Sequence, residues 1–439
     1  MKLPMPAPVL TDAHGLTAEE LLDLMTAAVD DSAYLHWDQL RHRTPPRPWT
    51  LEQWWFALKL QRRKQARPVS LRAQGDATFS YVLTDTILKC SDEITSRSSG
   101  HVGAPTEVLT PHHRNRYIVR SLVEEAITSS QLEGASTSRR LAQEMLDTGR
   151  RPQDKSELMI WNNYLAMQRI REVADRPLTP EFIMELHSLL VDGTLDDPED
   201  AGRVETSDHQ RVAVWDEGTK IHQPPPAEEL PQRLADLCKF ANGEDEDELY
   251  MSPVVRSIIL HFMVGYDHYF VDGNGRTARA LFYWSMLHHG FWLAEYVAIS
   301  RILRNAPSRY SLAYVYSEDD EGDLTYFIHY QLSVFMRALN DLDDYISAKS
   351  AEISAVREHL RSGETGLNLR QLSALEALTE DDSSTWAVEA YARRFNVSDQ
   401  TARNDLNDLT QRKYLTQFKS GRANTWRLSR RGAQQLGLS

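Results

Sequence analysis

Residues 268 to 279, "HYFVDGNGRTAR", decide the fold assignment of this chain, because they place so much chemistry in twelve positions. The stretch contains an imidazole at His268, a carboxylate at Asp272, a Gly-Asn-Gly turn at 273–275 and two arginines. Glycine permits positive φ angles and close approach of the backbone to a ligand. A helix-forming stretch follows the turn, and free N–H groups at a helix start bind anions. The twelve residues therefore predict a site for phosphate chemistry.

The side chains of this stretch suit the separate tasks of phosphate transfer. Arg276 and Arg279 are three residues apart, so they share one helical face and offer fixed charge. Asp272 can hold Mg²⁺, which takes one or two carboxylates and otherwise phosphate oxygens. Histidine can take a proton from a hydroxyl, which makes His268 a candidate base, and Phe270 is the expected inward anchor. Each residue alone could belong to an ordinary turn or to a surface ion pair. The combination of all of them in this order favours a functional site.

The composition is that of an ordinary globular chain. Its 439 residues suggest two to four domains, and its net charge of −14 means that DNA contact requires a local basic patch. Cys90 and Cys238 have no CxxC partner, which argues against a disulfide framework or cysteine zinc site and fits a reducing compartment. The N-terminus has no apolar signal-peptide core, and polar residues interrupt the most apolar stretch, 280–299. We therefore expect a cytoplasmic protein without a membrane span.

Helical spacing of apolar residues dominates, so the predicted fold class is mainly α. The clearest strand pattern is the alternating stretch 203–216, which predicts a hairpin. Changes in composition divide the chain into an N-terminal helical region at 1–105, a long helical domain at 106–350 and a compact C-terminal domain at 366–439.

The stretch 268–279 resembles the signature of the Fic family, H-x-F-x-[D/E]-G-N-G-R-x-x-R. Every named position matches, and the departure is Tyr269, where the family usually has proline and which we expect to shape the start of the loop. The resemblance extends over about residues 110–350, and no P-loop pattern competes with it. It implies a Fic helical core with a β-hairpin flap, formed here by residues 202–222. In the family the flap holds the modified protein's backbone by strand addition.

The resemblance implies transfer of AMP from ATP to a Ser, Thr or Tyr hydroxyl of a target protein, with auto-modification as well. His268 would be the general base for that hydroxyl, and Asp272 would hold Mg²⁺ between the α- and β-phosphates. Tyr310 would line the adenine pocket, although Ser311 stands where a second tyrosine is common.

The same resemblance assigns the remaining signature residues to the phosphates of ATP. Asn274, with the backbone amides of Gly273 and Gly275, would form the anion hole for the α-phosphate. Arg276 would bind the β-phosphate, and Arg279 would bind the γ-phosphate. These assignments agree with a reaction whose catalysis consists largely of positioning and electrostatic stabilisation.

An upstream segment, "SSQLEG" at 129–134, resembles the inhibitory pattern [S/T]-x-x-x-E-[G/N] of the same family. Ser129, Glu133 and Gly134 match its three named positions. A Glu133 carboxylate paired with Arg279 would occupy the guanidinium that the γ-phosphate needs, so ATP would bind unproductively. The same glutamate could instead position a water for removing AMP, and the sequence leaves both roles open.

The C-terminal domain resembles a winged helix-turn-helix domain. "AVEAYARRF" at 387–395 predicts a first helix, Ser398 a helix cap, 399–415 a second helix, and 416–429 a two-stranded wing. Such domains commonly bind DNA through the second helix, which makes DNA a candidate partner of residues 366–439. Asp405 and Asp408 lie on that helix and oppose the assignment, so packing or dimer contacts stay an alternative.

Three function classes follow from these patterns. The first is a self-inhibited, Mg²⁺- and ATP-dependent protein adenylyltransferase. The second is the same fold acting as a de-AMPylase, or transferring UMP, GMP or phosphocholine. The third is a DNA-binding regulator whose Fic core senses a nucleotide, although His268 argues against it because sensing needs no base. A homodimer is an expected arrangement, because similar proteins often self-associate.

Overall fold

The computed structural model describes residues 3–9, 17–75, 77–98, 111–207, 211, 213–216, 218–244, 249–361, 366–380, 385–420 and 423–436. The fold is mainly helical, as predicted. The chain forms two compact units, one from Met1–Val102 with Val119–Leu339 and one from Gly103–Ile118 with Asn340–Ser439. The three-region division predicted from the sequence stays a prediction. Within the described residues, no helix is both long enough and apolar enough to cross a bilayer.

The helices are numbered in chain order. They are α1 (Ala18–Thr26), α2 (Trp37–Leu40), α3 (Leu51–Gln65), α4 (Asp85–Ser98), α5 (Pro111–Leu132), α6 (Arg139–Thr148), α7 (Lys155–Val173), α8 (Pro180–Val191), α9 (Leu230–Asn242), α10 (Pro253–Asp267), α11 (Asn274–His288), α12 (Ile299–Asn305), α13 (Pro307–Asp319), α14 (Thr325–Arg361), α15 (Leu369–Glu380), α16 (Val388–Phe395), α17 (Asp399–Gln411) and α18 (Arg430–Gln435).

The strands form small antiparallel sheets. They are β1 (Ala66–Arg72) with β2 (Thr78–Val82), β3 (Val214–Asp216) with β4 (Thr219–His222), and β5 (Trp386–Ala387), β6 (Leu415–Ser420) and β7 (Ala423–Leu428) in the order β5-β7-β6. The sequence patterns did not predict β1, β2 or β5. In the predicted flap, the paired strands occupy only the C-terminal part, with Val214 opposite His222, and residues 208–210, 212 and 217 lie outside the described residues.

The core of the larger unit is the pair α10 and α11, which pack against each other and are buried along most of their length. Gly265 permits a close approach on α10, because a Cβ atom there would overlap the ring of Tyr314. Buried polar contacts connect the N-terminal residues of this unit to the segment between α13 and α14. Tyr34 donates to Asp323 at 2.6 Å, and Lys59 lies 2.7 Å from Asp320. Residues near the N-terminus therefore fix the segment between α13 and α14.

The smaller unit contains the predicted helix-turn-helix and wing. Ser398 caps α17 by accepting from the Thr401 N–H, as the sequence predicts. The wing strands β6 and β7 pair from Leu415 opposite Leu428. Asp405 does not face solvent: it accepts from Arg370 Nε at 3.0 Å and from the Tyr391 hydroxyl at 3.2 Å. One of the two acids that opposed DNA binding is therefore an interior residue.

Helix α18 gives a test of packing in this unit. A Cβ atom at Gly432 would overlap the backbone carbonyl of Tyr414, and backbone cannot move aside as a flexible side chain can. We expect Gly432→Ala to lower the free energy of unfolding by about 1–3 kcal/mol. Hydrogen exchange of peptides from 366–436 in the full chain measures this. The matched control is Gln434→Ala on the exposed face of α18, and equal exchange in the two variants would contradict the packing.

Candidate active site

A tight turn between α10 and α11 places His268. Helix α10 ends at Asp267, and His268 follows in the left-handed conformation, with φ 50° and ψ 61°. Its N–H still donates to the carbonyl of Val264 at 3.2 Å, so His268 closes the helix. A positive φ is uncommon for residues other than glycine, so this conformation needs support from its surroundings.

Asn274, the first residue of α11, holds the loop that follows. Its Oδ1 accepts from the N–H of Phe270 at 3.0 Å, and its Nδ2 donates to the Phe270 carbonyl at 2.6 Å. Nδ2 also lies 3.1 Å from Nδ1 of His268. Gly273 precedes α11 at φ 83°, which glycine adopts without strain. The loop thus sets the start of α11 beside the imidazole.

A cavity of about 360 Å³ opens beside the start of α11. The predicted site residues that line it are Glu133, His268, Asn274, Gly275, Arg279 and Tyr310. Trp215 and His222 of the flap strands also line it. Because the first N–H groups of a helix have no partner within the helix, this end of α11 suits an anion.

Arg279 directs its hydrogen bonds to α5. Its Nε donates to Ser129 Oγ at 2.9 Å, and its Nη2 donates to the Ser129 carbonyl at 3.0 Å and to Glu133 Oε1 at 2.8 Å. The Arg279 side chain is 2% exposed, whereas that of Glu133 is 27% exposed. The ion pair that the inhibitory pattern implies is therefore present. Its inhibitory consequence stays a prediction.

Glu133 also lies against the first turn of α11. A Cβ atom at Gly275 would overlap the Glu133 carboxylate. Gly134 follows at φ 93°, a conformation that favours glycine, and turns the chain away directly after the carboxylate. The structure thus brings the segment 129–134 and the turn at 273–275 together at one point.

Residues 177–286 match the model of the Fic/DOC family. The chain carries a Fic domain. Residues 375–423 match the DeoR-like helix-turn-helix domain, so the two domain types expected from the sequence are confirmed.

Curated relatives of the Fic domain include the protein named protein adenylyltransferase fic-1 in two nematodes. The Caenorhabditis elegans protein is 28% identical over 180 residues, which is 39% of this chain and 33% of that protein. The Caenorhabditis briggsae protein is 27% identical over 180 residues, with the same shares. The match therefore spans about a third of the length of these relatives.

Solved structures similar to this chain are also Fic proteins. A Fic family protein from Desulfovibrio desulfuricans is 20% identical, with a TM-score of 0.49 over 80% of this chain and 98% of that one. A Fic domain containing signaling protein from Bacteroides thetaiotaomicron is 21% identical, with a TM-score of 0.46 over 58% of this chain and 94% of that one.

Asp272, Gly273 and Arg276 of the Fic signature do not line the cavity. The Asp272 side chain is 56% exposed and lies 3.7 Å from Arg276 Nη2. Buried Arg276 donates from Nη1 to the Leu190 carbonyl at 3.0 Å, and its Nε has no partner among the described residues. A phosphate contact by Arg276 would therefore need a different side-chain conformation.

A second carboxylate, which no sequence pattern predicted, anchors α5 to the Fic domain. Glu125 is buried and accepts from the Tyr283 hydroxyl at 2.9 Å and from the Ser300 N–H at 3.0 Å. Burial raises its pKa, against the hydrogen bonds from Ser300 and Tyr283. Glu125 and Ser129 are four residues apart, so they share one face of α5, and Glu133 follows four residues later, directly after the helix.

Two histidines of the Fic domain were missed as well, because neither belongs to a recognisable pattern. His187 stacks on the Phe270 ring at 3.7 Å, and its Nε2 donates to the Asp272 carbonyl at 2.9 Å. His222 joins the flap to the rest of the domain: its ring nitrogens lie 2.7 Å from Glu318 Oε2 and 2.7 Å from the Tyr266 carbonyl. Only the folded chain brings these residues to the site.

The sequence predicts that Tyr310 lines an adenine pocket, and that role stays a prediction. Tyr310 lines the cavity, and its hydroxyl is hydrogen-bonded to His261 Nε2 at 2.7 Å. His261 is buried, and burial with the nearby charge of Arg279 lowers its pKa to about 3. A neutral ring therefore fixes the hydroxyl of Tyr310 beside the site.

The electrostatics of the Fic domain keep His268 uncharged. Burial, followed by the charges of Arg211 and His222, lowers its pKa from 6.5 to about 4. A neutral imidazole has one ring nitrogen able to accept a proton, so His268 suits the role of a base at neutral pH.

This environment predicts how His268 titrates. We expect the main change in its imidazole signals near pH 4, because protonation adds a charge to a buried ring beside two basic side chains. NMR of the ring nitrogens between pH 3 and 8 measures the midpoint, and the His268→Gln spectrum assigns the signal. A main midpoint near 6.5 would show that the ring does not experience this environment.

Proposed function

We propose that this chain is a protein adenylyltransferase that moves AMP from ATP to a hydroxyl of a protein side chain. The observation that carries the proposal is the cavity beside α11, where His268, Arg279 and the first turn of a helix meet. A base, a fixed cation and unpaired amide donors are what nucleotidyl transfer to a hydroxyl needs.

In the proposed reaction the start of α11 binds the phosphates and Arg279 supplies positive charge at the inner side of the cavity. His268 takes the proton of the incoming hydroxyl, whose oxygen bonds to the α-phosphorus as the bond to the β-phosphate breaks and pyrophosphate leaves. Asn274 holds His268 and the loop in place through its contacts to Phe270.

The residues present can hold Mg²⁺ if ATP supplies most of the ligands of the ion. Asp272 is an exposed carboxylate beside the anion-binding turn, and the described residues form no cluster of three metal-binding side chains. One carboxylate with phosphate oxygens and waters is an ordinary magnesium arrangement. Bound there, Mg²⁺ would neutralise charge on the phosphates and the leaving pyrophosphate.

The proposal includes inhibition by Glu133. Its carboxylate pairs with Arg279 and lies over Gly275, so it occupies both the charge and part of the space that the phosphates require. Glu133 lies at the end of α5 and is the more exposed partner, so it is the group that can leave.

We expect Glu133→Gly to increase auto-modification with ATP at least about tenfold, in the range of ordinary coupling energies between two sites. Intact-mass spectrometry with ATP, GTP, UTP and CTP measures the adduct. Glu133→Gly combined with His268→Ala should show none, and Glu199→Gly, the same change at an exposed position, should behave as the unmodified sequence.

Other outcomes of that experiment separate the alternatives. An adduct formed with another nucleotide would show that this nucleotide, and not ATP, is the substrate. No adduct from any nucleotide, together with loss of AMP from an already modified protein, would instead favour a de-AMPylase. Equal labelling with and without Glu133 would contradict inhibition by this residue.

We also propose that the C-terminal unit binds duplex DNA through α17. The domain type supports this, and so does the exposed face of the helix, which carries Gln400, Arg403, Asn404 and Asn407. Arginine and asparagine are common readers of base edges. Asp405, which would repel phosphates if exposed, is instead buried against Arg370.

We expect Arg403→Ala to weaken DNA binding by about 1–3 kcal/mol if Arg403 contacts a base. Fluorescence anisotropy with duplexes selected from a random pool measures it at several salt concentrations, because phosphate contacts make binding salt-dependent. The matched control is Arg176→Ala, the same charge change at another exposed position. Absence of binding at low salt would exclude the proposal.

A further inference from the structure

The two side chains that flank His268 are hydrogen-bonded to each other. The Tyr269 hydroxyl donates to Asp267 Oδ2 at 2.6 Å, and both residues are buried, Asp267 at 1% exposure. Tyr269 stands where the Fic signature usually has proline, so this contact uses the position at which the chain departs from the pattern. The link spans His268, the residue with the unfavourable positive φ.

Arg233 of α9 anchors this link. Its Nη1 donates to Asp267 Oδ1 at 3.1 Å, so each carboxylate oxygen of Asp267 has a different partner. The same guanidinium also donates to the carbonyls of Arg72 and Ala73, at 2.7 and 2.8 Å. Asp267 is therefore fixed from two sides by groups that do not themselves line the proposed catalytic cavity.

The backbone of the same three residues is held separately. Arg211 Nη2 donates to the carbonyls of Asp267 and His268, at 2.7 and 3.0 Å, and the Glu205 N–H donates to the Tyr269 carbonyl at 2.9 Å. Strained conformations persist where the surroundings over-determine them. Here a backbone network and a side-chain network both enclose His268.

We propose that Asp267 and Tyr269 are positioning residues, whose hydrogen bond, anchored by Arg233, directs the His268 imidazole into the cavity. This inference rests on the proposed function, in which His268 takes a proton. Neither residue touches substrate in that reaction. They act through the backbone on both sides of His268.

The charge of Asp267 makes the link sensitive to pH. Burial raises the pKa of Asp267 to about 6, and Arg233 and Tyr269 oppose the rise. The charged and titratable groups around it are Arg72, Arg211, His222, Glu229, Arg233, Asp236, Tyr266 and Tyr269. A cavity of about 420 Å³, lined by Asp267 and Arg233, lies on this side.

The direction of the effect follows from these pKa values. Below pH 6 Asp267 becomes neutral, loses its attraction to Arg233 and no longer accepts as a carboxylate from Tyr269. His268 remains neutral down to about pH 4, so its own protonation cannot cause a loss of activity near pH 6. A lower limb of the activity profile near pH 6 reports Asp267 when it moves in Tyr269→Phe and is absent from Asp267→Asn, because His222 is a second titratable side chain beside His268.

The test compares variants in the Glu133→Gly background, using initial rates of AMP incorporation from ATP between pH 5 and 8. We expect Tyr269→Phe to lower kcat roughly tenfold, the scale of one lost hydrogen bond, with little change in KM for ATP. It should also move the lower limb to higher pH, because the Tyr269 hydrogen bond lowers the pKa of Asp267. Asp267→Asn should be slow throughout and lack the limb near pH 6.

The matched control is Tyr391→Phe, which removes another buried tyrosine–aspartate hydrogen bond, the one to Asp405 at 3.2 Å in the smaller unit. This variant should change neither kcat nor the pH at which the lower limb of the activity profile falls. If Asp267→Asn does not fold, the shift of the limb in Tyr269→Phe decides the question. An unchanged rate and limb in Tyr269→Phe, with Glu133→Gly active, would overturn the inference.

A second readout does not need activity. NMR of the His268 ring in Glu133→Gly should show a small step near pH 6 as Asp267 takes its proton, apart from the main titration near pH 4. The step should move upward in Tyr269→Phe. If no adduct forms, the proposed function fails while this step still supports the positioning, and absence of the step overturns it.

Discussion

A guanidinium group buried in a protein must keep an anionic or strongly polar partner, because an unpaired charge in the interior is very costly. Arg279 is such a group. In this structure its partners are Ser129 of α5 and Glu133, which follows directly after that helix. In the proposed reaction a phosphate would need the same guanidinium, so substrate and inhibitory helix compete for one cation. The proposed enzyme is then inhibited when Arg279 pairs with Glu133 and active when Arg279 pairs with a phosphate.

This competition requires that α5 stay in place while a phosphate replaces Glu133 as the partner of Arg279. Glu125 and Ser129 provide the fixed contacts, since both are buried and hydrogen-bonded to the core. Glu133 lies past the last residue of the helix and is followed by Gly134 in the left-handed conformation. The ends of helices open more easily than their interiors. Glu133, which must move in this competition, therefore lies where its movement breaks the fewest helical contacts.

The turn at His268 is held by several independent contacts. Its imidazole is contacted by Asn274 of α11, and its left-handed backbone is held by Arg211 from the flap segment and by the bond between Asp267 and Tyr269. Each of these groups is fixed by further contacts, so the imidazole is placed by several elements distant in sequence. The same arrangement lowers the pKa of His268, because it surrounds the ring with buried surface and positive charge.

Sequence alone identified those features whose determinants are contiguous. The Fic signature, the segment that pairs Glu133 with Arg279, the Ser398 cap and the helical character of the chain depend on spacing within one or two turns, where residue identity dictates geometry. Tertiary structure decided the rest. His187, His222, Arg233 and the inward position of Asp405 depend on packing between residues far apart in the chain, and no local pattern encodes such contacts. The orientation of Arg276 toward Leu190 and the link across His268 from Asp267 to Tyr269 belong to the same class, because burial and hydrogen-bond partners exist only once the helices have packed.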